Sequence, residues 1–403
     1  MAHAEPAERL PDFPLPRTCP YHPPTGYQEL RGTQGPLARV RLYDGRVVWT
    51  VVGHAEARAL LTDPRLSSDW SNPLFPVTSP RRKSIQKQAL LIGMDAPEHT
   101  GYRRRLISAF TVRRINDLRP AIQERTDELV TAILRQGPPA ELSTALALPL
   151  SSLVICRILG VPYEDHEYFE KQTARLVARE STEQDTFDAL RNLRVYLDGL
   201  VVRKETEPGD GLLDTLVAEG LAEGSLTREE IGTLALILLM AGHETTASMI
   251  TLGTLTLLEH PEQLAAFRAD PELVPGAVEE LLRFLAIADV ATRVAAEDIA
   301  VGGLTIRKGD GVLLPNSAIN RDPEAYTDPD RLDLGRSASR HTAFGYGVHQ
   351  CLGQNLARAE LQIALHTLVT RIPTLRMAVP VDQVAVKHAD SGVQGIYELP
   401  LAW

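Results

Sequence analysis

Cysteine is scarce in this chain: there are three in 403 residues, Cys19, Cys156 and Cys351. An odd number placed so far apart is not a disulfide framework and points to a reducing compartment. There is no Ser/Gly linker, no internal repeat and no low-complexity tract, so one unit spanning 1–403 is expected rather than several small domains. The first residues, Met1-Ala2-His3-Ala4-Glu5-Pro6, lack the basic and apolar stretches of a secretory signal. The longest purely apolar run, Leu234 to Gly242, is far short of the ~20 residues that span a bilayer. A cytoplasmic monomer with no membrane partner is expected. A net charge of −10 argues against nucleic acid as the main partner. A Gly-x-Gly-x-x-Gly fingerprint and a cysteine cluster are both missing, so any electrons the chain uses come from another protein.

What is present is mostly helical. Residues 1–35 are rich in proline and are expected to lie extended. Two β-branched runs, 37–42 and 46–52, flank Tyr43-Asp44-Gly45 and predict a hairpin. A short helix at 54–63 and a long irregular loop at 72–92 follow. Helices are expected near 97–110, 117–136, 143–159, 164–178 and 184–206. Thr227-Arg228-Glu229-Glu230 is a capping box. It opens a helix without a breaker to His260, roughly 50 Å long at 1.5 Å per residue. Its middle is apolar all round, hence buried. Another helix is expected at 274–285 and a last one at 352–372. Short β-like runs at 290–315 and in the tail join 36–53 in small sheets. The class is mainly α with a minor β region.

Two stretches break these patterns. In His341-Thr342-Ala343-Phe344-Gly345-Tyr346-Gly347-Val348-His349-Gln350-Cys351-Leu352-Gly353 a cysteine lies among glycines at the start of a helix. Backbone N–H groups there favour a thiolate and lower a thiol's pKa, and glycines let a flat object approach. Metal ligand, nucleophile and inert buried thiol all remain open on these residues. In the long helix, Ala241-Gly242-His243-Glu244-Thr245-Thr246 places glycine, at ~1 kcal/mol against alanine, beside acid and hydroxyl groups in an apolar setting. Such a cluster marks a site, against the plainer reading of a kink with Thr245 bonded to the preceding turn. His243-Glu244 is no zinc-protease motif, because the fourth residue on is Ala247 rather than a second histidine. The glycines around Cys351 also differ from a papain-like thiol protease.

Together these stretches resemble a cytochrome P-450, a haem-thiolate monooxygenase, over essentially the whole chain. Within that family the chain is most similar to soluble actinobacterial members that oxidise macrolides, secosteroids and drugs. Phe344-x-x-Gly347-x-His349-x-Cys351-x-Gly353 matches every position of the haem-binding signature, Gly345 included in its loop. Glu280-Leu281-Leu282-Arg283 matches the family's Glu-x-x-Arg pair, and Arg331 its third charge partner. His99-x-x-x-Arg103, Arg293 and His349 match haem-propionate contacts.

The resemblance implies one triangular fold with the long helix over haem b. Cys351 is then the axial iron ligand, with Ala241 and Gly242 beside the cofactor and Gly242 leaving room for O₂. Thr245 hydrogen-bonds O₂ and Glu244 relays protons. Ferredoxin and its reductase supply electrons that originate in NAD(P)H, steered by Arg103-Arg104-Arg105, Arg113-Arg114 and Arg358. Leu90, Leu91, Val177, Ile237, Met240, Ala241, Ile287, Val290 and Val393 are expected to line a pocket for a hydrophobic small molecule. Arg81, Arg82, Lys83, Arg191 and Arg194 are candidates for a charge contact at its mouth. The expected reaction is hydroxylation or epoxidation. The alternative is a haem-binding sensor or carrier without turnover, which has no need of Glu244 and Thr245.

Overall fold

The computed structural model describes residues 10–80, 90–177, 181–387 and 393–403. Helices dominate: α1 (Gly26–Gln34), α2 (His54–Thr62), α3 (Glu98–Leu106), α4 (Val112–Gln136), α5 (Leu148–Leu159), α6 (His166–Val177), α7 (Glu183–Thr206), α8 (Arg228–Leu258), α9 (Pro261–Ala269), α10 (Val274–Leu285) and α11 (Gln354–Arg371), with shorter turns between them. Helix α1 corrects the expectation of an extended segment at 1–35. Tyr27 and Leu30 bury one face of it against the sheet, and that packing outweighs the local proline content.

The capping box at the start of α8 forms as expected. The Thr227 hydroxyl accepts from the Glu230 N–H at 3.2 Å, and the Glu230 carboxylate accepts from the Thr227 N–H at 2.7 Å. Pro261 cannot continue the helix and opens α9 instead. Helix α8 is long and apolar enough to cross a membrane by length, but it packs inside the molecule against α5, α7, α10 and α11. Their leucines, isoleucines and valines make one continuous core.

The sheets lie to one side. Strands β1 (Leu37–Arg41) and β2 (Val47–Val51) form the expected hairpin, with Leu37 opposite Val51 and Gly45 at φ +84° in the turn. The five-stranded sheet runs β1-β2-β8-β5-β3, with β3 Leu66–Ser67, β5 Val290–Ala295 and β8 Gly311–Pro315. Strand β2 pairs with β8 in parallel, so residues far apart in sequence meet and Arg293 is set in a central strand. The tail closes a small sheet of β4 (Ala140–Glu141), β9 (Arg376–Met377) and β10 (Pro400–Ala402), while β6 (Ile299–Val301) pairs with β7 (Leu304–Ile306).

Candidate active site

The cysteine loop is fixed from several directions. The Thr342 N–H and hydroxyl both donate to Asn320 Oδ1, at 2.8 and 3.0 Å. The Cys351 N–H donates to the Phe344 carbonyl at 2.8 Å and closes the loop. Gly347 sits at φ +74°, and a Cβ there would lie 2.4 Å from the Leu61 carbonyl oxygen. Only glycine lets the loop rest on α2. Arg358 of α11 lies over the Phe344 ring at 4.7 Å and forks onto Glu279 at 2.6 and 3.0 Å. His341 Nδ1 accepts from the Ala343 N–H, so Nε2 carries the proton and faces Glu279 at 3.3 Å. Burial pushes the Glu279 carboxyl up, but hydrogen bonds from His341 and Arg358 outweigh it and hold it at about 2.

Helix α11 starts at Gln354, so Cys351 precedes it rather than opening it. Cys351 is solvent-exposed, although protein atoms crowd around its thiol. Burial pushes its thiol up; the Gly353 N–H and the Arg103 and Arg358 guanidinium groups pull it down without winning. The expected lowering of this pKa is therefore overturned for the protein alone. A metal ion reverses the balance, because a coordinating thiol deprotonates outright.

Beside the loop lies a cluster of cationic and imidazole groups. The His99 and His349 rings stand 4.0 Å apart by centroid. Arg103 Nη2 donates to the Gln350 carbonyl at 2.7 Å. Burial lowers His99 and pushes His349 down to about 3, with Arg293, His99 and Arg103 adding repulsion at His349. Burial takes Arg293 down to about 10 against the pull of Asp95. Asp95 is already held by the Ser67 hydroxyl at 2.5 Å and the Ser68 N–H at 2.8 Å. Two guanidinium groups and two imidazole N–H donors around so little negative charge suit a ligand that brings carboxylates. With a thiol in the adjoining loop, this donor set fits haem and its two propionates.

In α8, Met240 and Ala241 are exposed and Ile237, Gly242, Glu244 and Thr245 half-buried, while Leu238, Leu239, His243 and Thr246 are buried on the other side. The Thr245 hydroxyl donates to the Ala241 carbonyl at 2.6 Å, the back-bond of the plainer sequence reading. A Cβ on Gly242 would meet Ile155 Cδ1 at 3.2 Å, so the glycine admits a close approach of α5 to α8. Glu244 is not free. Lys387 Nζ of the tail donates to its Oε1 at 3.0 Å and to Ser248 Oγ at 3.0 Å.

A family model described as cytochrome P-450 matches residues 202–372. The chain is 56% identical to the pentalenic acid synthase of Streptomyces avermitilis over 392 residues, 97% of each chain. It is 54% identical to the vitamin D3 dihydroxylase of Streptomyces griseolus over 396 residues, 98% of this chain and 97% of that one. The crystal structure of GfsF, a protein of Streptomyces halstedii, superposes with a TM-score of 0.94 at 45% identity, covering 98% of this chain and 100% of that one. The chain belongs to the cytochrome P-450 family.

The P-450 charge network differs in one member from the sequence expectation. Glu280 and Arg283 are fully buried and pair through two bonds, at 2.7 and 2.8 Å. Arg331 is not their third partner. Its side chain points outward to Asp333 at 2.9 Å, and only its carbonyl faces the network. Arg336 takes the place: its Nε lies 3.1 Å from Glu280 Oε1, and its other donors reach the Thr327 and Asp328 carbonyls. Arg331 follows a proline-bearing turn whose residue Asp328 has φ +45°, and this turn leaves the side chain outside.

Of the expected pocket residues, Ile237 and Met240 lie in α8 and Leu90 is half-buried. Leu91, at φ +69°, is buried in the main core, as is Ile287. Val290 opens β5, and Val393 is half-buried beside Gln394, whose N–H donates to the Ile287 carbonyl at 2.8 Å. Val177 ends α6, and its side chain lies outside the described residues. Arg81, Arg82 and Lys83 also lie outside them. Arg194 is tied to Asp198 and Thr233, and Arg191 forms an exposed pair with Asp188.

Sequence reasoning missed Arg336, Glu279, His341 and Lys387. His341 stands inside the cysteine stretch and Glu279 directly before Glu280, so both carried a positional signal. Lys387 carried none.

Proposed function

We propose that this P-450 is a ferredoxin-dependent monooxygenase that hydroxylates a hydrophobic, ring-containing small molecule, with haem b bound by Cys351. The supporting observation is the junction of the thiol-bearing loop with His99, Arg103, Arg293 and His349 in one cluster short of negative charge. Haem, once bound, activates O₂ and puts one of its oxygen atoms into the substrate. The protein does the rest. Cys351 ligates the iron; the Gly353 N–H and the Arg103 and Arg358 charges favour its thiolate. His99, Arg103, Arg293 and His349 hold the propionates. Phe344, clamped under Arg358, and Gly345 shape the loop around the sulfur. Glu280, Arg283 and Arg336 brace the segment leading into it. Ala241 borders the O₂ side. Thr245 orients a proton donor there through the acceptor lone pairs its back-bond leaves, and Glu244 brings protons from solvent.

The full-length P-450 relatives support electron supply by ferredoxin and its reductase. Arg104 and Arg113 are exposed beside α3 and α4, with exposed apolar Val348, Val112 and Ile107 nearby, and offer an acidic ferredoxin a basic, partly apolar landing. Arg114 is exposed as well, with one donor on the Asp210 carbonyl, whereas Arg358 is neutralised by Glu279 and Arg103 is turned to the Gln350 carbonyl and the propionate cluster. The substrate class rests on the apolar residues expected to line a pocket and on the relatives named for a terpenoid acid and a secosteroid. The full-length relatives suit a soluble cytoplasmic enzyme. Reconstitution tests the proposal: with ferredoxin, its reductase and NAD(P)H, a panel of terpenoids, steroids and macrolides yields at least one hydroxylated product and a ligand-induced spin-state shift. A red protein that shifts with none of them and turns over none overturns it.

A further inference from the structure

The tail segment that reaches α8 is a hairpin closed at its base. Val386 bridges Ile396, the Lys387 N–H donates to the Gly395 carbonyl at 2.9 Å and the Tyr397 N–H to the Ala385 carbonyl at 2.9 Å. It presses on α8 at Ser248: a Cβ on Gly395 would lie 2.9 Å from Ser248 Oγ and 3.3 Å from Lys387 Cδ. From this base Lys387, 8% exposed, caps Glu244 and Ser248 at once. These two are four residues apart and share one helical face. Thr245 is rotated about 100° from Glu244, and its hydroxyl turns to Ala241. Lys387 therefore holds the Glu244 carboxylate on the Ser248 side, away from Thr245. The same hairpin is hydrogen-bonded to Ile287 through Gln394, next to Val393.

We propose that Lys387 is a latch on Glu244, a positioning residue that keeps the acid turned away until substrate against the Ile287–Val393 side shifts the hairpin. This rests on the assignment of Glu244 to proton delivery. Released, the carboxylate takes a proton from solvent, passes it toward the Thr245 side and returns as carboxylate to the Lys387 ammonium. Proton supply is thus tied to an occupied pocket. Without substrate, early delivery would let O₂ take two electrons from NAD(P)H, through the redox partners, and two protons, leaving as H₂O₂.

The test uses haem-loaded protein with its redox partners, in Lys387→Met, Lys387→Arg, Glu244→Gln and Lys387→Met/Glu244→Gln variants. Two quantities are read: H₂O₂ formed per NAD(P)H without substrate, and hydrogen exchange at the Lys387 and Tyr397 amides in the ferric protein without electron donor. Lys387→Met raises substrate-free H₂O₂ several-fold and speeds exchange about 2- to 150-fold, the range of one coupled side-chain pair. Lys387→Arg restores both, and adding Glu244→Gln removes the extra H₂O₂. Should Lys387→Met not load haem, Gly395→Ala, which lifts the hairpin from Ser248, takes its place with the same expectation. Faster exchange with unchanged H₂O₂ overturns the latch and leaves Lys387 a structural anchor. Extra H₂O₂ that persists with Glu244→Gln, together with unaltered product coupling in Glu244→Gln alone, overturns the proton role of Glu244 itself.

Discussion

Arg331 and Arg336 show what one residue's neighbourhood decides. Glu280 carries no exposed surface and needs every lone pair met; Arg283, the Asp333 N–H at 3.1 Å and Arg336 meet them. Arg336→Ala removes a charged hydrogen bond at a buried carboxylate and costs on the order of 2 kcal/mol in denaturant unfolding. Arg331→Ala breaks only an exposed pair with Asp333 and stays within about 0.5 kcal/mol of the parent. Equal losses from both would contradict the assignment. Glu280-x-x-Arg283 was legible because its i,i+3 spacing places both groups on one face. Arg336 was not, because its approach depends on the 328–333 turn, which no local pattern encodes. Cys351 was legible as a special cysteine, but the sign of its thiol shift was not. Burial, a property of the whole fold, outweighs the local N–H groups.

At the scale of elements, α8 was read almost to its ends, since its capping box and its terminating proline are local signals. The notch at 241–246 was also legible, as unfavourable residues clustered in an apolar helix. The partner of that notch was not. Lys387 comes from 143 residues away on a tail hairpin with no motif. Likewise α1 was hidden by prolines, because its stability comes from packing Tyr27 and Leu30 rather than from propensity. Thr245→Ala removes the hydroxyl that α8 places on the Ala241 face. Product per NAD(P)H is then expected to fall several-fold while substrate binding, read from the spin-state shift, stays within about twofold, since about 0.4 kcal/mol separates a twofold change. Unchanged coupling would remove Thr245 from proton handling.

The molecule as a whole brings α3, β5 and the cysteine loop to one place, and in doing so gathers His99, Arg103, Arg293 and His349. The parallel pairing of β2 with β8 fixes where Arg293 stands, and periodicity alone could not reveal it. This gathering has a pH consequence. Folding lowers the His349 pKa to about 3 from an ordinary 6.5, chiefly by burial. Between those values the unfolded chain binds more protons, so apoprotein stability falls as pH drops through that window. Propionates among these groups would favour the protonated ring. Thermal midpoints measured from pH 7 to 4 should therefore fall more steeply for apoprotein than for haem-loaded protein. Parallel curves would place the propionates elsewhere.

The most direct measurement is the spectrum of the reduced carbon monoxide adduct, taken on the parent and on Cys351→Ser. The parent is expected to show the strongly red-shifted Soret band of thiolate ligation, and Cys351→Ser to lose that band while folding as the parent does. A red-shifted band that survives in Cys351→Ser, or a parent that binds haem without one, would contradict ligation by Cys351.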